Sequence, residues 1–263
     1  PIESCTKSIT SLLIGLAMDQ GMLKDLDEPL YTYFPDYPHL KTGRYRELNL
    51  RNILSMTSGF DPMNDALFAS DDRVDFALRR PLLETPGEVF RYDGGNSEIL
   101  GAVLQAATGE FADSYSRGTL FLPLSIEQYD WDRFRQKGFP SMAGALHLTP
   151  RGMLKIGVMV LQTGSYQGKQ VVSEQWIRES TSPRTDTHTE ERYAYHWWNL
   201  ELGQHPQNYQ AIWANGWGGQ FIYIIPQLET VIVTTGHNYE LDSWAITRGI
   251  SKYIHGLDTG QKP

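Results

Sequence analysis

Residues 3–21 read Glu3-Ser4-Cys5-Thr6-Lys7-Ser8 followed by ITSLLIGLAMDQG, a short polar run that passes straight into an apolar one. Ile9, Leu12, Leu13, Leu16 and Ala17 recur at i, i+3, i+4, i+7 and i+8, which predicts a helix with one buried face, and Gly21 supplies its stop. Ser4 and Lys7 then stand one turn apart, so their side chains can meet. A hydroxyl beside an amine is a nucleophile beside a base. A helix start also offers N–H groups and partial positive charge to a developing anion. On S-x-x-K alone the plainer reading is a helix-capping serine followed by a solvated lysine, and a sharper one must come from the rest of the chain.

The 263 residues suffice for one large domain or for two lobes around a cleft, and 40% hydrophobic with 21% charged residues is a globular composition. A net charge of -8 without any cluster of Lys and Arg argues against a nucleic-acid surface, so a small molecule is the expected partner. Cys5 is the only cysteine, which excludes an intrachain disulfide and a thiolate zinc cage and reads as a small residue in the first helical turn. No run approaches the ~20 apolar residues of a membrane span. Pro1-Ile2-Glu3 has neither initiator methionine nor leader character, so the chain is expected to be processed or truncated, and its compartment is not legible.

Downstream, Asp25 to Tyr37 reads as a turn-rich connection, Leu48 to Met56 as a helix, and Asp61 to Arg80 as a polar stretch with a short amphipathic piece near Val74 to Leu78. Glu88 to Tyr92 alternates like a short strand delivering Tyr92 to a Gly94-Gly95 turn. Asn96 or Ser97 is expected to cap the next helix, which Gly109 closes. Thr149-Pro150 opens another helix that stops at Gly164, Gly168 to Val172 is a short β piece, and Ser173 to Glu179 is helical around Trp176 and Ile177. In the last quarter Tyr193–Trp198, Tyr209–Trp213, Phe221–Ile225 and Thr230–Thr235 are strand-like, and a helix follows over 240–254. The fold class is therefore α+β. One domain, 1–263, is expected to have a helical lobe over about 22–165 and an antiparallel sheet with closing helix over about 166–256, joined by helix 4–20. Ahead of the late strand pair, Asn215-Gly216-Trp217-Gly218-Gly219-Gln220 reads as an edge offering backbone N–H groups to a substrate oxygen. No Lys-Ser/Thr follows to make it a phosphate loop.

Ser4-x-x-Lys7, Tyr92 at its glycine turn and the late glycine-rich stretch occur in the order of the motifs S-x-x-K, Y-x-N and K-T-G or H-x-G. With flanking segments such as LRNILSMTSGF, PGEVFRYDGGNSEILGAVLQAATG and GWGGQFIYIIPQLETVIVTTG, most of the chain resembles the serine hydrolases of the penicillin-binding protein and class C β-lactamase superfamily. The likeness is nearest the branch of esterases and 6-aminohexanoate-dimer hydrolase. It implies that Ser4 is the acylated nucleophile and Lys7 its base, in a partly dry site. Tyr92 would complete a hydrogen-bonded set with them, and no cofactor or metal would be needed. The oxyanion hole would be the Ser4 N–H and one from the glycine-rich stretch, Trp217 if Gly216 is the motif glycine, Gln220 if the alignment shifts past Gly218.

The chain departs from the family pattern in three places. Tyr92-Asp93-Gly94 lacks the asparagine of Y-x-N unless Asn96 reaches in, and Ala214 stands where a Lys or His would attract an anion, which favours esters or small amides over β-lactams, with the Trp217 indole as an apolar wall. Only three residues precede the nucleophile, so the first strands of the family's sheet are expected to be missing. A catalytically silent binding or assembly module is the competing reading, though such a module has no use for Lys7. A metal hydrolase built on His188, Glu190 and His196 is disfavoured by their spacing.

Overall fold

The structure is a computed structural model that describes residues 1–133, 138–204, 207–240 and 244–258. Helix α1 (Cys5–Asp19) runs through its middle and is buried on every side from Cys5 to Ala17 rather than along one face. Two of the polar residues around the predicted apolar ones, Ser8 and Thr10, are buried because each meets a distant carbonyl. Ser8 Oγ donates to His196 O at 2.7 Å, and Thr10 Oγ1 donates to Met142 O at 3.2 Å. A buried hydroxyl with a partner costs little, which is how a mixed sequence makes a central helix.

On one side of α1 lies the helical lobe: α2 (Leu50–Leu54), α3 (Asn64–Ala69), α4 (Arg73–Arg79), α5 (Gly94–Thr108) and α6 (Ala112–Ser116), with three 3₁₀ turns over 30–47. The expected strand at 88–92 is not formed. Phe90 and Tyr92 alternate because both rings pack on Tyr193 and Trp198, within 5.1–6.3 Å between centroids, and not because they pair with a strand. Asp93, not Asn96 or Ser97, caps α5 by accepting from the Gly95 N–H at 2.8 Å.

A short hairpin of β1 (Tyr129–Trp131) and β2 (Leu146–Leu148) is followed by α7 (Pro150–Leu161), capped by Thr149 as expected. A two-residue hairpin, β3 (Ser165–Tyr166) and β4 (Lys169–Gln170), leads to α8 (Glu174–Thr181). The remaining strands, β5 (Thr185–Asp186), β6 (Arg192–Tyr193), β7 (Trp198–Gln204), β8 (Gln207–Gly216), β9 (Gln220–Ile225) and β10 (Thr230–Thr234), form one antiparallel sheet in sequential order. The structure's α+β class and antiparallel sheet are those expected.

β9 is buried at all six positions because both sheet faces are covered. Ile222 and Ile224 join the main core with α1 and α7, while Phe221, Tyr223 and Ile225 meet Ile250 and Ile254 of α9 (Trp244–Asp258) on the other face. Helix α7 packs on β9 and β10, so residues 150–161 lie with the sheet, not with the helical lobe expected to reach about 165. Gly157 permits this approach, since a Cβ there would stand 2.5 Å from Val231 Cγ1. No helix among the described residues is long and apolar enough to cross a membrane.

Candidate active site

Ser4 precedes the first residue of α1 with helical φ and ψ of -63 and -8°, and its side chain caps nothing. The residue before it, Glu3, holds a left-handed φ of 49°, a strained conformation for a side chain of that size. The next three amides donate to carbonyls close behind them: Cys5 to Ile2, Thr6 to Glu3 and Lys7 to Ser4. The Ser4 amide is not among these donors. Its hydroxyl meets Lys7, whose Nζ donates to Ser4 Oγ at 3.0 Å and to Ala143 O at 2.5 Å. Lys7 is 4% exposed and is held from behind by His196, whose Nδ1 lies 3.2 Å from the Lys7 carbonyl. Burial, and then the charge of Lys7, push the His196 imidazole down to about 3, so it is neutral at physiological pH.

A cavity of about 420 Å³ opens above this pair. Its walls come from the lobe (Asn64, Phe68, Arg73, Tyr92), from the segment Ser141–Ala145, and from Trp217. Tyr92 enters with its ring face toward Lys7, the Nζ 5.0 Å from the centroid, so the contact between them is to the π face and not a bond to the hydroxyl. Its ring is bedded on Tyr193 and Trp198.

The glycine-rich stretch is the β8–β9 turn, not an edge strand: Gly216 ends β8 opposite Gln220, which begins β9. It is brought to the nucleophile by backbone contact. A Cβ on Gly216 would stand 2.5 Å from the carbonyl of Ile2, and Cys5 Sγ donates to Gln220 O at 3.0 Å. Trp217, 65% exposed, lines the cavity, whereas the side chain of buried Gln220 turns away to bond Gly236 N–H and carbonyl, and Gly218 lies under the Tyr239 ring.

Residues 1–238 match the family model described as Beta-lactamase. The chain belongs to the beta-lactamase family. It is a hydrolase of the β-lactamase fold. The 6-aminohexanoate-dimer hydrolase of Paenarthrobacter ureafaciens is 25% identical over 290 residues, which take in 98% of this chain and 69% of that protein. Among solved structures, the class C beta lactamase of Rhodobacter sphaeroides has a TM-score of 0.74 at 17% identity, covering 97% of this chain and 84% of that one. The hydrolase EstCE1 has a TM-score of 0.76 at 17% identity, with the same coverage. Likeness at such identities speaks for the fold.

Within this beta-lactamase family frame, the sequence readings of Asn96 and Ala214 change. Asn96 does not reach the cavity: it is fully buried, its Nδ2 directed at Met56 Sδ 3.5 Å away. The amide that does line the wall is Asn64, whose Oδ1 accepts from the Gly94 N–H at 3.0 Å. Ala214 is a fully buried core residue two positions before the end of β8, so it does not stand at the substrate, and Trp217 is the residue of that hairpin that lines the cavity. The cavity has a further cation all the same, Arg73, from the opposite wall. Neither Asn64 nor Arg73 belongs to a motif, and only the folding of the polar stretch 61–80 over the cavity puts them there. Finally, His188 and Glu190 line two other cavities and His196 is buried behind Lys7, so the three do not meet.

Proposed function

We propose that the protein is a serine hydrolase that cleaves a small ester or amide through an acyl-enzyme on Ser4, with no cofactor required. The observation that carries this reading is the 3.0 Å contact between Lys7 Nζ and Ser4 Oγ at the floor of a cavity. With Lys7 deprotonated, Nζ accepts the serine proton as Oγ bonds to the substrate carbonyl carbon. The resulting oxyanion meets the Ser4 N–H and an N–H of the 217–220 turn, each such donor being worth ~10²–10³ in rate. The proton then passes from Lys7, with Tyr92 beside it, to the leaving alkoxide or amine, and the C–O or C–N bond breaks. Water, deprotonated by the same pair, attacks the acyl carbon and releases the acid and Ser4. Trp217 and Phe68 offer apolar faces to the substrate body, which supports esters and amides over β-lactams.

The test is mass labelling with a fluorophosphonate and with a penicillin, together with p-nitrophenyl ester turnover. A fluorophosphonate adduct that Ser4→Ala abolishes, without a stable penicillin adduct, is expected. Lys7→Met is expected to lower kcat/KM by ~10²–10⁴. A folded chain that takes up no fluorophosphonate would refute the hydrolase mechanism, and turnover surviving Ser4→Ala would refute the nucleophile.

A further inference from the structure

Glu98, in the second turn of α5, is a buried acid that acylation of Ser4 does not use. Its two oxygens hold neighbouring residues of the segment that walls the cavity. Oε1 accepts from Ser141 Oγ at 3.0 Å, and Oε2 accepts from the Met142 N–H at 3.1 Å. Burying a carboxyl costs free energy that an apolar side chain in the same place would not, and only what the carboxyl holds can offset that cost. One turn further along α5, Gly101 lets Met142 close in, since a Cβ there would collide with Met142 Cγ. Residues 142–144 form a turn, so no strand or helix ladder fixes them. Side chains fix them instead: Thr10 of α1 donates to Met142 O at 3.2 Å, Trp131 Nε1 of β1 donates to Ser141 O at 2.7 Å, and Glu98 holds the turn from α5. The next residue, Ala143, is the one that meets the base. Its carbonyl accepts from Lys7 Nζ at 2.5 Å, and the same Nζ lies 3.0 Å from Ser4 Oγ.

We propose that Glu98 is a positioning residue of the active site: by holding Ser141 and Met142 it fixes the Ala143 carbonyl, and that carbonyl keeps Lys7 Nζ on Ser4 Oγ. Glu98 does not line the cavity and moves no proton in the reaction. Its effect is carried through Lys7. A reacting group misplaced by about 1 Å costs ~10²-fold in rate, so a turn that shifts with the base bound to it is enough to matter. The inference rests on the hydrolase reading for the reaction that Lys7 serves, and the two fail in different ways.

The test is a double-mutant cycle between Glu98 and Lys7, read as the rate of fluorophosphonate labelling at Ser4 per folded molecule and as kcat and KM for p-nitrophenyl acetate. Glu98→Met is expected to lower the labelling rate and kcat by ~10–10²-fold while KM changes by less than about twofold. Glu98→Gln keeps an oxygen for the Met142 N–H and offers its NH₂ to Ser141 Oγ, so it is expected to stay within about threefold of the parent. Lys7→Met has no base left to position, and adding Glu98→Met to it is expected to cost less than about threefold in labelling rate. A role in the fold alone would lower the rate by the same factor in both backgrounds. That result, or a Glu98→Met protein as fast as the parent, would overturn the proposal. If Glu98→Met does not fold, Ser141→Ala takes its place in the cycle, since it removes one of the two bonds. A loss of about threefold to tenfold that vanishes in Lys7→Met then supports the positioning role, and equal losses or no loss overturn it. A parent chain that takes up no label overturns the hydrolase reading and this inference with it, whereas a labelled parent with additive losses overturns this inference alone.

Discussion

Arg80 meets Asp93 through two hydrogen bonds of 2.7 and 2.8 Å, whereas Arg73 stands 3.8 Å from Glu98, although both carboxylates belong to the start of α5. The first pair is closed. Both side chains are 1% exposed, and Arg80 donates further to the carbonyls of Asp61, Pro62 and Ala77. The second pair is open on one side, since Glu98 is fully buried while Arg73 lines the cavity. An arginine whose donors are spent on backbone and a chelating carboxylate fixes structure, and here it ties the loop 61–62 to the cap of α5. Arg73 instead sits at the cavity wall, its guanidinium 5.0 Å from the Phe68 ring centroid and its Nη2 donating to Phe68 O at 3.2 Å. Both pairs join an arginine to a carboxylate, and the length of the contact separates them, 2.7 and 2.8 Å in the first against 3.8 Å in the second.

The largest expected effect comes from breaking the closed pair. Asp93→Asn retains a good helix cap, because asparagine accepts from the first-turn amides as aspartate does, but leaves Arg80 buried without its counter-charge. Removing one partner of such a pair costs about 3–5 kcal/mol. Urea unfolding of Asp93→Asn should show a loss of that order, and a loss below about 1 kcal/mol would remove the distinction between the two pairs.

How far this arrangement could be seen in the sequence depends on whether a feature is local. The helix α7 was legible because Thr149, Pro150 and an apolar stripe lie in one stretch, and the β9–β10 hairpin because two apolar runs flank Pro226 to Glu229. Ser4 and Lys7 were legible because one helical turn joins them. Arg73 and Asn64 were not, since nothing within several residues of either marks a cavity that is completed by Ser141 and Trp217. The alternation at Phe90 and Tyr92 misled for the same reason: its cause is an aromatic bed more than a hundred residues away in sequence. The three glycines of the β8–β9 turn left the motif register open, and it is the packing of Gly216 on Ile2 that brings Trp217, and not Ala214, to the cavity.

A smaller effect tests the open pair through pH. Burial pushes the Glu98 carboxyl up to about 7, against which the Met142 amide, Arg73, Ser141 and Lys7 act. A carboxyl that holds its proton more tightly when folded stabilises the fold fully below its unfolded value of about 4.5, and loses that contribution as pH rises through about 7. Glu98→Gln has no such loss, so its stability relative to the parent should rise between pH 4.5 and 7 and then level off, by roughly 1–3 kcal/mol in all. Glu191, also pushed up to about 7 by burial, contributes with the same sign, and His196, pushed down to about 3, with the opposite sign. Both are retained in the variant, so the difference between the two proteins isolates Glu98. Parallel curves of urea midpoint against pH would show that folding does not shift the Glu98 carboxyl.

The smallest expected effect is the coupling between Arg73 and Glu98 themselves, and it decides whether the open pair is a weaker copy of the closed one. At pH 5 Glu98 is protonated, so removing Arg73 takes away a cation that faces a neutral acid, and a double-mutant cycle of Arg73→Met with Glu98→Gln should give a coupling near zero. At pH 8 the carboxylate is charged and 3.8 Å away, and the coupling should reach about 0.5–1 kcal/mol. The corresponding cycle of Arg80→Met with Asp93→Asn should be the larger of the two at both values, because two short bonds join that pair, although burial, against the pull of Arg80, raises the Asp93 carboxyl above its ordinary value. A coupling between Arg73 and Glu98 that matched it at pH 5 would mean that the 3.8 Å contact joins its partners as firmly as the two short bonds of the closed pair.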